Sequence, residues 1–310
     1  MRRILVTAIS GDIGNGILKI LQFQENILFG CDVNKIAVGM DLVSYFFQSK
    51  YAIDYGYIDD LLEKCIKYKI THVIPTNERE IEIIGKERKR FEEKNIKLVI
   101  QNENILDVCL DKYKTVQLLK KYGLTVPDTY LTVDEIHDIN GNFICKPRKS
   151  NGSKGIYFFN VNEKGKKIID SNSYVIQQYI DSMDEYTVGV FKCGCCINTI
   201  AFQRELKNGY SNLVKLVQDD SLEKISIQVA NILDMNGYLN IQLKKSKGKY
   251  YIFEINPRIS GTVRFRDMLG FSDVLWWLDM LDGKKIPEYH CSYSEAIGVR
   301  ELNEKYLILK

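Results

Sequence analysis

The sequence has almost no excess of charge of either sign and no long apolar run. Its 43 Lys and Arg residues against 40 Asp and Glu residues give a net charge of +3, which argues against nucleic acid or an anionic membrane as the main partner. No apolar stretch approaches the about 20 residues that span a bilayer. Residues 1–8 resemble the charged head of a signal peptide, but Ser10-Gly11-Asp12 interrupts the apolar stretch, which predicts a first strand instead.

Histidine is scarce, and the cysteines form no recognisable pattern. The three histidines, His72, His137 and His290, have no plausible Ser or Cys partner in the sequence, so nucleophilic catalysis through histidine has little support. Most of the eight cysteines lie in apolar stretches, as small core residues do. The segment Cys-Gly-Cys-Cys at 193–196 has no second pair or nearby histidine to complete a zinc site, and it predicts two strands that turn at Gly194. We expect a reduced, cytoplasmic protein.

The length of 310 residues favours two or three structural units, and the first of them alternates strand and helix patterns. The expected strands are Ile4–Ala8, Ile27–Val33, His72–Pro75 and Ile96–Gln101, and the expected helices are Ile13–Phe23, Ile58–Tyr68 and Glu78–Lys94. Such alternation predicts a parallel sheet with helices on both faces.

Beyond a helix expected over Asp111–Tyr122, the pattern changes to short strands, which predicts a smaller α+β unit inserted in the chain. These strands are expected at Phe143–Pro147, Ile156–Phe159, Tyr174–Tyr179, Tyr186–Lys192 and Cys196–Phe202, with a helix at Glu163–Ser171. Later elements are the helices Ser221–Asn236 and Ser272–Leu281, the antiparallel strands Gly237–Lys244 and Lys249–Asn256, and a last strand at Cys291–Arg300.

The first candidate site lies where the strand Lys249–Asn256 ends. Alternate side chains of a strand share a face, so Glu254, Asn256 and Arg258 point the same way, and Gln242 on the neighbouring strand adds an oxygen to the patch. Carboxylate and amide oxygens suit Mg²⁺, and arginine grips phosphate oxygens. A solvated strand face is the alternative, but Pro257 and the segment 259–262 make an unusual strand exit.

Two further features precede it in the chain. Lys146 ends an apolar strand and is followed by a basic loop rich in Gly and Ser, which can fold N–H groups over phosphates. A plain basic hairpin is the alternative, and the loop is neither a P-loop nor a Rossmann fingerprint. The strand Val175–Ile180 could hold an adenine edge and Glu185 could bind ribose hydroxyls, although on these residues alone an ordinary strand with a surface carboxylate is the favoured interpretation.

The order of these features resembles the ATP-grasp superfamily. The branch that the chain is most similar to includes the large subunit of carbamoyl-phosphate synthetase, biotin carboxylase and small carboxylate–amine ligases such as the pyrrolysine-biosynthesis ligase. The resemblance covers roughly residues 1 to 300 and is strongest between Asp111 and Gly270. It implies an α/β and α+β ATP-grasp fold: a Rossmann-like domain at 1–108 and an ATP-grasp domain at 109–310, with a lid subdomain at about 125–182.

The resemblance also implies roles for particular residues. Lys112 and Lys146 would reach phosphates, and Arg258 would hold the transferring phosphate. Gln242, Glu254 and Asn256 would bind Mg²⁺ (or Mn²⁺), and Arg204 would lie near the acceptor. The remaining ATP contacts would be the mobile loop Ser150, Asn151, Gly152, Ser153, Lys154 and Gly155, the adenine hinge Gln178, Tyr179 and Ile180, and the ribose carboxylate Glu185. Many relatives carry Glu in place of Gln178, but the hinge acts mainly through backbone groups.

The amino-terminal layer is expected to bind the second substrate or to support the fold. The glycines Gly11, Gly14 and Gly16 do not fit the dinucleotide fingerprint G-x-G-x-x-G. Gly11, Asn77 and Glu78 are candidate substrate contacts, because ligands bind at the carboxyl edge of such sheets. A helix N-cap role for Thr76 or Asn77 is the alternative.

The activity that the resemblance implies is a two-step ligation. A substrate carboxylate attacks ATP to give an acyl phosphate and ADP, and an amine or another nucleophile then displaces phosphate. The partners would be a small carboxylic acid and an amine, and many relatives are dimers. Two alternatives remain open: a kinase-like phosphotransferase, and a nucleotide-binding protein without turnover.

Overall fold

The computed structural model describes residues 1–137, 142–149, 155–160, 170–207 and 209–301. The described strands form a five-stranded, a four-stranded and a six-stranded sheet, in that order along the chain. The first sheet is parallel, and the other two are antiparallel. The mixed α/β and α+β class expected from the sequence is therefore present.

The parallel sheet is built from strands that alternate with helices, as predicted. Its strands, in the spatial order β3-β2-β1-β4-β5, are β1 (Arg2–Val6), β2 (Asn26–Asp32), β3 (Tyr45–Gln48), β4 (His72–Ile74) and β5 (Lys97–Leu98). The helices are α1 (Asp12–Leu21), α2 (Tyr57–Lys67), α3 (Glu78–Lys86), α4 (Arg88–Glu92) and α5 (Glu103–Cys109). Because β1 and β4 are parallel neighbours, the loops that follow them meet at one edge of the sheet.

Three predictions for this region were wrong in detail. The single helix over Glu78–Lys94 is two helices, because the backbone leaves helical geometry at Glu87 (φ −101°, ψ 13°), and α4 then buries Phe91. The strand predicted over Ile96–Gln101 contains only the two residues of β5, which pairs with the three-residue strand β4. The half-exposed edge strand β3 and the helix α5 were not predicted at all.

The four-stranded sheet corresponds to the predicted inserted α+β unit, but the strands expected in that unit at Tyr186–Lys192 and Cys196–Phe202 belong to the six-stranded sheet instead. It contains β6 (Thr129–Tyr130), β7 (Asn142–Pro147), β8 (Tyr157–Asn160) and β9 (Tyr174–Gln178) in the order β6-β9-β7-β8. Helix α6 (Lys112–Lys121) precedes it and is capped by the side chain of Asp111. The predicted helix at Glu163–Ser171 lies largely outside the described residues. The short β6 was not predicted.

The six-stranded antiparallel sheet has the order β14-β13-β10-β11-β12-β15. Its strands are β10 (Glu185–Cys193), β11 (Cys196–Lys207), β12 (Tyr210–Val217), β13 (Gly237–Ser246), β14 (Lys249–Asn256) and β15 (Ile297–Val299), and its helices are α7 (Asp220–Ile232), α8 (Val263–Met268) and α9 (Asp273–Leu281). The predicted turn at Gly194 is confirmed, with Cys193 opposite Cys196. In the described part of the chain, no helix is both long and apolar enough to cross a membrane.

Other predictions here were inaccurate. The last strand is only the three residues of β15, which pair with the edge strand β12, and the rest of Cys291–Arg300 is irregular. Helix α7 ends before the predicted Asn236, because the chain turns at Asp234 with a positive φ of 44°. Strand β12 and helix α8 were not predicted.

The parallel sheet packs against the carboxyl-terminal helices. Residues of both parts, among them Ile4, Phe191 and Trp277, share one buried core. Helix α1 approaches α8 closely at Gly16, where a Cβ would lie 2.8 Å from Val263 Cγ1. This packing brings the carboxyl edge of the parallel sheet to the end of β14, where the candidate site lies.

A cluster of charges around Asp282 ties the two layers together at the opposite end. Arg2 Nε donates to Asp282 Oδ2 at 2.7 Å, and Arg2 also donates to Asp279 Oδ1 at 2.6 Å. His72 Nε2 lies 3.1 Å from Asp282 Oδ1, and Lys97 also donates to this oxygen. The strands β1, β4 and β5 therefore all reach the end of α9 through one carboxylate.

We expect Asp282→Asn to destabilise the protein by about 1–3 kcal/mol, because a partly buried carboxylate with two cationic neighbours, Arg2 and Lys97, contributes more than an exposed pair and less than a fully buried one. Urea unfolding measures this. The matched control is Asp59→Asn, whose pair with Arg90 is exposed, and it should change stability by less than about 1 kcal/mol. Equal effects of the two substitutions would contradict a role of the Asp282 cluster in holding the layers.

Candidate active site

The four residues predicted to form a Mg-phosphate patch lie together. Gln242 is directly opposite Glu254 in the antiparallel register of β13 and β14. Gln242, Glu254, Asn256 and Arg258 all line a cavity of about 340 Å³ between the parallel sheet and the six-stranded sheet, which we call the acceptor cavity. Strand alternation accounts for this arrangement, since Glu254 and Asn256 are two residues apart.

Two lysines surround the carboxylate of Glu254. Lys112 Nζ lies 3.3 Å from Glu254 Oε1, and this lysine stands in the first turn of α6. Burial alone would raise the pKa of Glu254, but attraction by Lys112 and then by Lys146 outweighs it and keeps the pKa below its ordinary value. The group is therefore a fixed carboxylate at neutral pH, as a metal ligand must be.

Lys146 is held in a defined position at the end of β7. Its side chain is buried, and Nζ donates to Gln177 Oε1 at 2.7 Å and to the carbonyl of Phe253 at 3.4 Å. Burial is the main cause that lowers the pKa of Lys146 to about 8, and the charge of Lys112 lowers it while Glu254 opposes the shift. An added phosphate would favour the charged ammonium in this place.

A second cavity, of about 230 Å³, adjoins the lysines, and we call it the nucleotide cavity. The predicted hinge residues Gln178, Tyr179 and Ile180 line it, together with Glu185 and the apolar side chains of Phe253 and Phe158. The backbone N–H of Gln178 donates to Asp128 O and that of Tyr179 to Asn142 O. Among the hydrogen bonds of the described residues, none uses the N–H of Ile180 as a donor. This is therefore the hinge group that could donate to an adenine edge.

The two cavities share a wall, and Arg204 stands in it. Arg204, Leu206, Gln242 and Glu254 line both cavities. The guanidinium of Arg204 donates through Nε and Nη2 to Glu185 Oε1 at 2.9 and 2.5 Å. The predicted ribose carboxylate and the predicted acceptor arginine are thus a direct ion pair, which the sequence did not indicate.

The amino-terminal candidates are placed differently from one another. Gly11 lines the acceptor cavity at the start of α1, and so does Asn77. The side chain of Asn77 accepts from Arg79 N, so the alternative of a helix N-cap is confirmed for it. Glu78 is not among the residues that line the cavity; it pairs with Arg258 Nη2 at 2.7 Å.

The predicted phosphate loop is described only at its edges. Ser150, Asn151, Gly152, Ser153 and Lys154 lie outside the described residues. Gly155 has a φ of +74°, which favours glycine. Before the loop, Arg148 Nη2 donates to Asp111 Oδ2 at 2.7 Å, and Lys149 Nζ donates to Glu82 Oε1 at 2.9 Å.

Several lining residues were missed by the sequence reasoning. Phe253 and Ile144 supply apolar walls, Gln177 fixes Lys146, and Lys244 donates to the carbonyls of Ile180 and Ser182. One signal was available: Lys244 and Phe253 adjoin predicted site residues on the same two strands. Gln177 adjoins the predicted hinge residue Gln178, but its contact with Lys146 could not be predicted, because the two residues are 31 positions apart in the sequence.

The oxygen donors at the end of β14 fit a hard divalent cation. One carboxylate and two amides suit Mg²⁺, which keeps several waters and takes the remaining ligands from substrate phosphates. Asn256 is buried, and its Nδ2 donor has no hydrogen-bond partner among the described residues; this donor suits an acceptor such as a phosphate oxygen, whereas a cation would be bound by Oδ1. The described residues contain no cluster of three or more His, Cys, Asp or Glu side chains, so a thiolate or imidazole metal site has no support there.

Comparison with known proteins agrees with this geometry. Residues 109–262 match the family model of the ATP-grasp domain. The chain belongs to the ATP-grasp superfamily, the resemblance expected from its motifs. Residues 15–99 match the family model of the PylC-like N-terminal domain, so the amino-terminal layer is of the PylC-like kind.

Solved structures of ATP-grasp ligases share the fold. N5-carboxyaminoimidazole synthetase from Staphylococcus aureus, complexed with ADP, is 17% identical with a TM-score of 0.74 over 96% of this chain and 80% of that one. L-amino acid ligase from Bacillus licheniformis is 14% identical with a TM-score of 0.71 over 91% and 74%. Biotin carboxylase from Campylobacter jejuni, in its β-γ-ATP complex, is 13% identical with a TM-score of 0.73 over 92% and 72%.

We expect the affinity for Mg-ATP to fall as the pH rises above 8, because Lys146 has a pKa of about 8 in the free protein. Bound phosphates would raise the pKa of Lys146 in the complex. The attraction between Lys146 and the phosphates is therefore fully present below the pKa of the free protein, and it is lost as the pH rises toward the pKa of the complex. The loss approaches about tenfold per pH unit in that window. Isothermal titration on both sides of pH 8 measures it.

Two substitutions serve as matched controls for this effect. Lys146→Arg keeps its charge throughout, so its affinity should vary little with pH. Lys112→Arg changes the neighbouring lysine and should retain the pH dependence. Wild-type affinity that stays constant across pH 8 would show that Lys146 does not contact the phosphates as a titrating group.

Proposed function

We propose that this protein is an ATP- and Mg²⁺-dependent ligase that activates a substrate carboxylate as an acyl phosphate and joins it to an amine or another nucleophile. The observation that carries this proposal is the shared wall between the two cavities. The nucleotide cavity ends at Lys112, Lys146 and Glu254, and the acceptor cavity begins at Glu254 and Arg258. A γ-phosphate held at the wall would face a carboxylate on the acceptor side.

The side chains would act through position and charge. The nucleotide cavity would take the adenine, with the N–H of Ile180 at its edge and Glu185 at the ribose. Lys146 and Lys112 would neutralise phosphate oxygens, and phosphoryl transfer needs little more from the protein than such positioning and neutralisation. Mg²⁺, when bound by Gln242, Glu254 and Asn256, would bridge phosphate oxygens and offset the charge that develops on them.

The acceptor side would hold the acid and then the acyl phosphate. Arg258 is the candidate for the transferring phosphate, because it extends from the strand that carries the metal ligands. Its present partner, Glu78, keeps it charge-balanced in the absence of substrate. The loop Ser150–Gly155 would close over the phosphates, and exclusion of water would protect an acyl phosphate from hydrolysis.

Product analysis tests the reaction class. Purified protein with Mg-ATP should release ADP only when both a suitable acid and an amine are present, within panels of amino acids, sugar acids and amines. A phosphorylated product that accumulates without an amine would instead identify a phosphotransferase. Binding of Mg-ATP with no ADP release from any pair would identify a nucleotide-binding protein without turnover.

We expect Glu254→Ala and Lys146→Ala each to reduce ADP formation by about 10²-fold or more, since the first removes a ligand of the proposed Mg²⁺ and the second removes a cation that would neutralise the transferring phosphates. The fold should persist, as circular dichroism would show. Glu223→Ala and Lys284→Ala, at carboxylate and lysine positions outside both cavities, are the matched controls and should retain wild-type rates. Wild-type turnover in Glu254→Ala would refute the assigned metal site.

A further inference from the structure

A buried ion pair lies directly behind the segment that carries Arg258. Arg266 on α8 and Asp273 at the start of α9 are both fully buried, and Arg266 Nη2 donates to Asp273 Oδ2 at 2.7 Å. The guanidinium lies over the ring of Tyr238, 4.5 Å from its centroid. Neither residue lines the acceptor cavity or the nucleotide cavity.

The other arm of this arginine holds the strand exit. Arg266 Nη1 donates to Ser260 Oγ at 2.8 Å and to Thr262 Oγ1 at 2.6 Å. Ser260 and Gly261 line the acceptor cavity, and Arg258 is two residues before Ser260. The planar fork of one guanidinium therefore connects helix α9 to the chain that leaves β14.

The contacts continue toward the metal candidates. Tyr238 Oη lies 3.1 Å from Ser260 Oγ and 3.4 Å from Asn240 Oδ1, which also accepts from Thr187. Asn240 on β13 is directly opposite Asn256 on β14. The polar network thus reaches from Asp273 to the neighbours of Asn256 and Arg258, and it meets the acceptor cavity at Ser260.

Stability alone is a poor reason for such a pair. A buried ion pair costs desolvation, and its replacement by apolar residues is often neutral or stabilising. This pair is also incompletely satisfied, since Arg266 Nε and Asp273 Oδ1 have no hydrogen-bond partner among the described residues. The guanidinium of Arg266 holds Ser260 and Thr262 at the same time. An apolar side chain could not do this.

We propose that Arg266 is a positioning residue that fixes the segment Pro257–Thr262, and through it sets Arg258 and Asn256 for the metal-bound phosphates. This role rests on the proposed function. Asp273 orients the guanidinium of Arg266, and the hydroxyl groups of Ser260 and Thr262 accept hydrogen bonds from it. The network acts on the phosphate and metal end of the site and leaves the adenine end alone.

The test replaces the pair with apolar residues in the double variant Arg266→Met, Asp273→Leu. Ser260 Oγ and Thr262 Oγ1 lie 3.0 Å apart and remain hydrogen-bonded to each other, so the double variant should fold and melt near the wild-type temperature. The single variant Arg266→Met leaves a buried carboxylate unpaired and should melt lower. ADP affinity without metal, and the gain in ADP affinity on adding Mn²⁺, are then measured for each protein.

The double variant should bind metal-free ADP within about twofold of wild type and lose about tenfold or more of the Mn²⁺-dependent gain. The matched control is the double variant Arg264→Met, Asp267→Leu, which removes an ion pair from the same helix and should retain the gain. A fully retained gain in the Arg266/Asp273 double variant would overturn the positioning role. Wild-type protein without any Mn²⁺-dependent gain would instead refute the proposed metal site, and the role with it.

Discussion

The charge balance around Glu254 is the constraint on which the rest of the site depends. A buried carboxylate is costly unless cations accompany it, and here Lys112 from α6 and Lys146 from β7 supply them. These three side chains come from three different elements, so the six-stranded sheet, the inserted sheet and the helix before it must be positioned together. A nucleotide with its metal would bind between these groups. Contacts of the lysines with phosphate would then replace their contacts with the carboxylate.

The same pattern recurs at the two arginines. Arg204 is balanced by Glu185, and Arg258 is balanced by Glu78 at the start of α3, which follows strand β4 of the parallel sheet. Both arginines proposed to meet a substrate are thus paired with a carboxylate. Because Glu78 lies in the region that matches the PylC-like N-terminal domain, that layer contacts the arginine proposed to hold the transferring phosphate. The buried Arg266 network then holds the backbone that carries Arg258.

Much of this could be predicted from the sequence, and the failures have physical causes. The alternation of strands and helices predicted the parallel sheet, and the two-residue spacing of Glu254 and Asn256 predicted a shared face. The break at Glu87 could not be predicted, because no proline lies near it and the nearest glycine, Gly85, lies within α3 rather than after its end. The pairs of Arg204 and Arg258 were also missed, since cross-strand and cross-layer neighbours are determined by the packing of separate elements.

The most direct test of the account is the protonation of Lys146, followed by NMR of ¹³C-labelled lysine side chains and assigned through Lys146→Arg. The account predicts that the ammonium titrates near pH 8 in the free protein and that adding Mg-ATP raises this pKa, since phosphates stabilise the charged form. A lysine that titrates near its ordinary value of 10.5, or whose pKa does not move when Mg-ATP is added, would contradict the assignment of this cluster as the phosphate end of a nucleotide site.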